Sequence, residues 1–222
     1  MTQSHKQILV VLPHPDDEAF GASGSLAIHV YNGAKVTYAC LTLGQMGRNM
    51  GVPPFANRVT LPAIRLEELK ASCKAIGIED LRLLGFHDKM IEFEEPQLLD
   101  GKINELIQEL RPSLIITFYP GYSVHPDHDA TGAAVVRVVA AMPKEERPIV
   151  QCLAFAKNTV EDIGRPDIIV DVRGFLKNKL DSIRAHRSQF QAPELMGKNN
   201  LSDKELEDRF GMERFWTYRF ND

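Results

Sequence analysis

The sequence predicts an α/β fold in which one mostly parallel β-sheet carries helices on both faces. Short runs of apolar, β-branched residues alternate along the chain with stretches of about 10–15 residues whose apolar positions recur at helical spacing. This alternation is typical of βαβ units. No internal repeat or low-complexity linker divides the 222 residues. We therefore expect a single Rossmann-like domain over residues 1–222.

The predicted strands are continuous apolar runs, as expected for strands that are buried on both faces. The first, Ile8–Leu12, contains only valine, leucine and isoleucine and is stopped by Pro13. Because such short runs carry no helical period, they favour strand over helix. The later predicted strands are Lys35–Thr42, Leu81–Phe86, Leu114–Phe118, Ile149–Ala156 and Ile168–Val172.

The predicted helices follow these strands in order. Apolar residues spaced by three and four predict a helix over 63–76, which Gly77 ends. Ser202 and Glu205 form a capping-box pattern that would start a last short helix. The other predicted helices are Ala19–His29, a helix that contains Leu99–Leu110, Thr131–Met142, and one lined by Leu176, Leu180, Ile183 and Phe190.

A long loop, Gly44–Pro62, separates the second strand from the helix over 63–76. It is rich in glycine and proline and has neither strand nor helix periodicity. Loops of this length in a compact domain are usually functional or disordered. The charged residues of this loop are therefore candidates for ligand binding.

The composition excludes several classes of protein. With 44% hydrophobic and 25% charged residues, the chain has the balance of a globular protein rather than a disordered one. A formal charge of −4 without long basic runs argues against nucleic acid as a partner. The sequence contains no apolar run of about 18 residues, the length that a membrane span needs. Cys40, Cys73 and Cys152 lie too far apart for a metal clip, so we expect reduced core thiols and a cytoplasmic protein.

Two short motifs place polar side chains directly after predicted buried strands. His14-Pro-Asp-Asp-Glu18 follows the first strand and His125-Pro-Asp-His128 follows the fourth, each just before a helix. The carboxyl ends of parallel strands share one edge of a sheet, where crevices form at topological switch points. The donors expected to meet there are His14, Asp16, Asp17, Asp127 and His128.

This set of donors suits a catalytic metal. Two imidazoles and one carboxylate, with positions left open for water, form a catalytic zinc site. The remaining acid and histidine would then serve as general base and oxyanion stabiliser. The spacing alone leaves open whether Asp16 or Asp17 is the ligand.

Simpler explanations exist for the single residues but not for the set. Asp16 and Asp17 taken alone would be helix caps, and His128 alone a surface residue. Capping does not explain why histidine precedes proline twice at equivalent strand ends. His5, His29 and His186 are expected to be structural or exposed, and His87 lies at the same sheet edge as the motifs.

Two alternative functions share parts of this pattern. The donors also match the facial triad of non-haem iron oxygenases. A glycine-bearing helix after the first strand suggests a nucleotide-binding module, but Gly21-Ala-Ser-Gly24 lacks the G-x-G-x-x-G order. Carboxylates at the phosphate turn would also repel a nucleotide.

The two motifs together resemble the LmbE/PIG-L family of zinc-dependent N-acetylglucosamine deacetylases. The resemblance includes Gly21 and Gly24 and extends to the segments Arg65–Leu69 and Leu84–Asp88. It implies that His14, Asp17 and His128 hold zinc, with Fe²⁺ fitting the same donors. It also implies that Asp16 is the general base, that His125 stabilises the oxyanion and is oriented by Asp127, and that Arg65 and Asp88 lie around the sugar.

The length and the C-terminal half are most similar to the deacetylases of bacillithiol biosynthesis, which act on N-acetylglucosaminyl malate. Other acetylated sugars and thiol S-conjugates are alternative substrates, and relatives assemble as trimers or hexamers. One departure concerns the arginine or tyrosine that some relatives carry just ahead of the second motif. Here the run is Gly121–Val124, so Tyr122 is a shifted candidate and Arg48, in the Gly44–Pro62 loop, is a candidate for binding malate carboxylates.

Overall fold

The computed structural model describes residues 5–190 and 201–220. Its strands are β1 (Gln7–Leu12), β2 (Lys35–Cys40), β3 (Asp80–Leu83), β4 (Leu114–Phe118), β5 (Ile149–Leu153), β6 (Ile168–Asp171) and β7 (Met212–Thr217). They form one sheet with the order β3-β2-β1-β4-β5-β7-β6. Neighbours among β1–β5 pair in parallel, whereas β7 runs antiparallel to both β5 and β6. The predicted α/β class with a mostly parallel sheet is confirmed.

The sequence missed β7, and the reason is one buried charge. Burial alternates along this strand, with Glu213 and Phe215 buried and Met212 and Arg214 exposed. A carboxylate at a buried position hides the alternation, because charged residues are almost never fully buried unless they are paired. Glu213 is paired: its Oε1 accepts a short hydrogen bond from the Nζ of Lys179.

The helices are α1 (Asp17–Gly21), α2 (Ser23–Tyr31), α3 (Leu61–Ile76), α4 (Pro96–Leu110), α5 (Pro126–Ala140), α6 (Thr159–Ile163), α7 (Leu176–Ala185) and α8 (Asp203–Phe210). As predicted, α3 ends at Gly77, which has a left-handed φ of 94°. The predicted capping box of Ser202 and Glu205 begins α8.

Three helix predictions differ from the structure. The helix expected over Ala19–His29 is broken at Ala22, because the carboxylate of Glu213 accepts the backbone N–H groups of Gly24 and Ser25 at 2.9 and 2.7 Å and so begins a new helix. The fifth helix begins at Pro126 rather than Thr131. Phe190 lies beyond the end of α7, where its N–H binds the carbonyl of His186 at 2.8 Å.

Helices cover both faces of the sheet. Successive residues of β1 point to opposite sides, so Ile8 and Val10 pack in one core and Leu9 and Val11 in the other. Residues of α2 and α3 close the first core, and residues of α4 and α5 close the second. Both sides of β1 are therefore buried, which explains its uninterrupted apolar sequence.

The three cysteines are free and buried, as the sequence predicts. Burial raises the pKa of the Cys152 thiol far above its ordinary value, so this thiol stays protonated and unreactive. Among the described residues, we find no helix with both the length and the apolar character needed to cross a membrane.

Candidate active site

The two motifs meet where β1 and β4 end side by side. From β1 the chain continues to β2 on one side, while β4 occupies the other side, so a topological switch point lies between these two strands. His14 follows the end of β1, and His125 to His128 open α5 after β4. The structure thus brings the side chains of both motifs to one crevice at the carboxyl edge of the sheet.

Donor atoms of three motif residues lie close together in this crevice. The distance from His14 Nδ1 to His128 Nε2 is 3.3 Å, and His128 Nε2 lies 3.2 Å from Asp17 Oδ1. Asp17 Oδ2 lies 3.5 Å from His14 Nδ1. Tetrahedral zinc with bonds of about 2.0–2.1 Å needs donors about 3.3 Å apart. The two imidazoles and the carboxylate therefore have the spacing that such a metal requires.

The charges in this group favour an anionic Asp17 between cationic neighbours. Although burial opposes ionisation, the imidazoles of His128 and His14 hold the pKa of Asp17 well below its ordinary value. Burial by itself would lower the pKa of His128, but the adjacent Asp17 carboxylate outweighs burial and raises this pKa. A metal cation bound between these groups would replace the protons on the two rings.

The other nitrogen of the His14 ring faces two buried carboxylates. His14 Nε2 lies 3.0 Å from Asp127 Oδ2 and 3.2 Å from Asp88 Oδ1. Asp127 also accepts the backbone N–H groups of Lys89 and Ile91, at 2.6 and 3.2 Å. These acceptors keep a proton on Nε2, so the lone pair of Nδ1 is directed at the donor group.

The contacts of Asp127 and Asp88 in the structure differ from the roles that the family resemblance implies for them. Asp127 was expected to orient His125, but its carboxylate binds His14 and only its backbone N–H reaches His125, with 3.1 Å to Nδ1. Asp88 was expected beside the sugar. It is buried, and its second oxygen accepts the N–H of Met46 at 2.7 Å. Both carboxylates therefore hold His14 and the loops around it.

His128 is fixed in a similar way by other groups. Its Nδ1 lies 3.0 Å from the carbonyl oxygen of Ser123, so this nitrogen carries the proton and leaves Nε2 free to bind. The ring stacks on Phe118 with centroids 4.0 Å apart and an interplanar angle of 5°. Sequence reasoning missed both contacts. The position of Phe118 at the end of β4 is a usable signal, whereas a backbone carbonyl leaves none.

Asp16 occupies the position before α1 with a strained backbone. Its φ of 105° lies in the left-handed region, which residues other than glycine seldom adopt. Its carboxylate is about one quarter exposed, and Arg65 Nη2 donates to Oδ2 at 2.9 Å. Burial, opposed by Arg65 and helped by Asp17, raises the pKa of Asp16 to about 6. A carboxylate with a pKa near neutral is suited to accept and return a proton.

Arg65 lies behind Asp16 rather than in the open crevice. It is 3% exposed, and Nη1 donates to the carbonyl oxygen of Gly44 at 2.9 Å while Nη2 makes a short hydrogen bond to that of Pro15. Gly44 has a φ of +60°, and a Cβ there would lie 1.8 Å from Nη1 of Arg65. In the structure this side chain joins the first motif to the Gly44–Pro62 loop, and the expected sugar contact stays a prediction.

His125 caps α5 and borders the donor group. Its Nδ1 accepts the N–H of Asp127, so the neutral ring carries its proton on Nε2. Its ring centroid lies 5.0 Å from that of His14 and 5.1 Å from that of His128. Burial and the two neighbouring imidazoles lower the pKa of His125. The ring is therefore a neutral hydrogen-bond donor near pH 7.

The two further candidates for substrate contact lie outside the donor group. Arg48 is exposed on the Gly44–Pro62 loop. Tyr122 packs edge-to-face on Tyr119 at 5.6 Å, and burial together with Asp162 beside the hydroxyl raises its pKa. The described contacts of Tyr122 thus point to α6 and not to His128.

The other histidines behave in three different ways. His87 is exposed at the sheet edge. His5 and His29 are buried together, with ring centroids 5.8 Å apart. His186 is fully buried and binds Glu18, a motif residue to which the sequence assigned no role.

The fold and the site together define a Rossmann-like α/β protein with a histidine- and carboxylate-lined site at its switch point. Residues 9–139, more than half of the chain, match the family model described as PIG-L: GlcNAc-PI de-N-acetylase. The chain belongs to the PIG-L family. The resemblance inferred from the motifs is confirmed, and with it the prediction of an amide hydrolase of the N-deacetylase class.

Relatives match over nearly the whole length. A protein of Bacillus cereus named "Probable N-acetyl-alpha-D-glucosaminyl L-malate deacetylase 2" is 50% identical over 97% of this chain and 99% of its own. A protein of Bacillus subtilis with the same name is 46% identical over 98% of this chain and 99% of its own.

Solved structures share the fold at lower identity. The N,N'-diacetylchitobiose deacetylase of Pyrococcus horikoshii has a TM-score of 0.73 and 23% identity, covering 96% of this chain and 84% of that one. GalB, a 4-carboxy-2-hydroxymuconate hydratase of Pseudomonas putida, has the same TM-score at 15% identity and covers 98% of both chains. Because a hydratase has this fold too, the fold alone does not determine the reaction.

Proposed function

We propose that this protein is a zinc-dependent deacetylase that hydrolyses the N-acetyl group of N-acetylglucosaminyl malate. The observation that carries the proposal is the approach of His14 Nδ1 to His128 Nε2 at 3.3 Å, with the Asp17 carboxylate placing Oδ1 3.2 Å from His128 Nε2 and Oδ2 3.5 Å from His14 Nδ1. The names of the relatives from Bacillus cereus and Bacillus subtilis support the substrate. Family membership favours this hydrolysis over the chemistry of a non-haem iron oxygenase.

His14, Asp17 and His128 are the residues that would hold the metal. Two imidazole nitrogens and one carboxylate oxygen are ligands that zinc prefers, and three protein ligands leave a position open for chemistry. A metal at this place supplies Lewis acidity toward a carbonyl oxygen and toward water. Fe²⁺ suits the same donor types, so the choice of metal belongs to the test.

Asp16 is the proposed general base. Its partly exposed carboxylate accepts a proton from the attacking water, and its raised pKa lets it hold that proton near neutral pH. The same proton is then available to the amine that leaves when the carbon–nitrogen bond breaks. Arg65 holds the carboxylate in place through its contact with Oδ2.

His125 is the proposed oxyanion stabiliser. Because its Nδ1 accepts the N–H of Asp127, the Nε2–H is directed outward and can donate to the negatively charged oxygen of the tetrahedral intermediate. Asp127 and Asp88 act on the other side, where they fix the ring of His14.

Arg48 is the proposed contact for the malate carboxylates. It is exposed on the loop that Arg65 joins to the first motif, and a guanidinium binds a carboxylate in a bidentate manner. The matched control is a second substrate, methyl N-acetylglucosaminide, which has the same amide but no carboxylate. We expect Arg48→Ala to raise KM about tenfold or more for the malate conjugate and to leave the glucosaminide unchanged.

The deciding experiment measures release of primary amine from N-acetylglucosaminyl malate. The protein is loaded with Zn²⁺ or, without oxygen, with Fe²⁺, and Asp16→Asn serves as the blank. Release of amine by the unsubstituted protein and not by the Asp16→Asn variant would support the reaction, the substrate and the base together. A folded, metal-loaded protein that releases amine only from diacetylchitobiose or a thiol conjugate would overturn the substrate assignment.

A further inference from the structure

A buried hydrogen-bond network lies directly beneath Asp16. Its centre is Glu18, which is fully buried and forms part of the first motif. The Glu18 carboxylate accepts hydrogen bonds from four groups: the Nε2 of His186 at 2.7 Å, the Oγ of Ser72 at 2.5 Å, the hydroxyl of Tyr38 at 3.1 Å and the backbone N–H of Asp16 at 3.1 Å. The proposed mechanism uses neither Glu18 nor His186.

The contact between Glu18 and the Asp16 backbone has a specific consequence. A residue other than glycine is strained in the left-handed region and persists there only where its surroundings hold it. For Asp16, Glu18 holds the N–H and Arg65 holds the carboxylate. The direction in which the Asp16 carboxylate points therefore depends on where the Glu18 carboxylate lies.

His186 is the imidazole that binds the Glu18 carboxylate. It caps α7 and is 0% exposed, and it reaches Glu18 Oε1 with Nε2. Its Nδ1 has no hydrogen-bond partner within residues 5–190 and 201–220. The ring therefore acts on the network through Nε2.

The segment that carries His186 is itself anchored to the elements around the site. Ser188 donates from its N–H and its Oγ to the carboxylate of Glu68 on α3, at 2.7 and 2.6 Å. Gln189 exchanges two hydrogen bonds with Asn49 of the Gly44–Pro62 loop, at 2.7 and 2.8 Å. The position of His186 is therefore set by α3 and by the loop as well as by α7.

We propose that His186 is a positioning residue that acts through Glu18 to hold Asp16 in the orientation of a general base. The proposal deepens the function above and rests on the assignment of Asp16 as the base. It explains why the motif continues with a buried glutamate after the two aspartates. It also gives a role to a histidine that the sequence left as structural or exposed.

The geometry supplies a matched pair of variants. The side-chain nitrogen of glutamine can occupy the place of histidine Nε2, whereas that of asparagine lies near the place of Nδ1, which has no partner. We expect His186→Gln to keep kcat within about threefold. His186→Asn and His186→Leu should lower kcat about 10- to 100-fold, as a misplaced catalytic group does, with KM and bound zinc unchanged. Ser182→Ala, in the same cluster but bonded to Ser72, is the control.

A second comparison identifies the route of the effect. In an Asp16→Asn background the leucine variant should cause no further loss of kcat, because the group on which His186 acts is already removed. Equal kcat values for the glutamine and asparagine variants would overturn the proposal. So would a leucine variant that lowers kcat by the same factor with and without Asp16.

Amide hydrogen exchange at Asp16 provides a readout that needs no substrate. Exchange should be faster in the asparagine variant than in the glutamine variant, since the acceptor for this N–H would move. If the intact protein hydrolyses none of the substrates, the proposed function fails while this measurement still tests the contact. Identical exchange in both variants would overturn the positioning role even in an active enzyme.

Discussion

His14 Nδ1 lies 3.3 Å from His128 Nε2, although 114 residues separate the two in the chain. The contact forms because β1 and β4 are neighbours in the sheet while β2 and β3 lie on the other side of β1. Each ring is held at its other nitrogen, His14 by Asp127 and His128 by the Ser123 carbonyl. Two lone pairs are thereby directed at the place where Asp17 supplies an anion.

The first prediction separates the two adjacent aspartates. We expect Asp17→Ala to lose tightly bound zinc, because one of three donors is removed. Asp16→Asn should keep a full zinc content and lose about 100- to 10,000-fold in kcat, the range for a general base. Zinc per chain by elemental analysis and amine release are measured on the same samples. Equal zinc contents in both variants would contradict the division of roles.

The second prediction concerns His125. His125→Ala should retain zinc and lose about 100- to 1,000-fold in kcat, as the removal of one oxyanion donor does. Because His125 also caps α5, the alanine variant loses helix stability. His125→Asn is the matched control, since asparagine is a good cap but does not place a donor at Nε2. A fully active asparagine variant would exclude the oxyanion role.

The third prediction concerns Asp127. Because its carboxylate holds His14 Nε2, we expect Asp127→Asn to weaken zinc binding about 10- to 100-fold. Competition with a chromogenic chelator measures this affinity, and Asp100→Asn, at a half-buried carboxylate that pairs with Arg137 away from the donor group, is the control. Unchanged affinity would mean that Asp88, the second carboxylate at His14 Nε2, holds the ring without Asp127 and would contradict the prediction.

The fourth prediction is a pH dependence of stability caused by His29. Burial, with a smaller contribution from His5, lowers the pKa of His29 to about 4, against 6.5 as the ordinary value. Between these values the unfolded chain binds more protons, so the free energy of unfolding falls as the pH is lowered from about 6.5 to about 4. From pH 7 to pH 5 this loss is on the order of 1–2 kcal/mol.

Urea unfolding at pH 7 and at pH 5 measures this effect. The difference between the two pH values should be smaller in His29→Gln than in the unsubstituted protein by that amount. His87→Gln, at an exposed histidine, should leave the difference unchanged. An identical acid loss in all three proteins would show that His29 has the same pKa in the folded and the unfolded chain, which contradicts the prediction.

The framework of the fold is predictable from the sequence because its strands are buried on both sides. Ile8–Leu12 and Leu114–Phe118 contain only residues that a two-sided core accepts, apart from Thr117. The strand β7 is not predictable in this way, since Glu213 lies where an apolar residue belongs. Its pairing with Lys179 joins two segments 34 residues apart, and no local pattern records such a contact.

The candidate site likewise contains residues that local sequence predicts and contacts that it does not. The position of His14, Asp17, His125 and His128 follows from motif and strand order, both of which are local. The second contacts of these residues come from elsewhere: Asp88 and Lys89 lie in the loop after β3, and Ser123 contributes only a carbonyl. The sugar contacts expected of Arg65 and Asp88 stay predictions. Both side chains are buried and bonded to protein groups, and burial is a property that the sequence does not state.

The order of synthesis gives the antiparallel strand a particular consequence. β6 has β7 as its sheet neighbour, and β7 also pairs with β5, yet β7 is made after both. Until residues 212–217 leave the ribosome, β5 has an open edge and β6 has no strand to join. The same segment delivers Glu213 to the start of α2, immediately behind the helix that bears Asp17. The nascent chain therefore completes the surroundings of its first motif with its last strand.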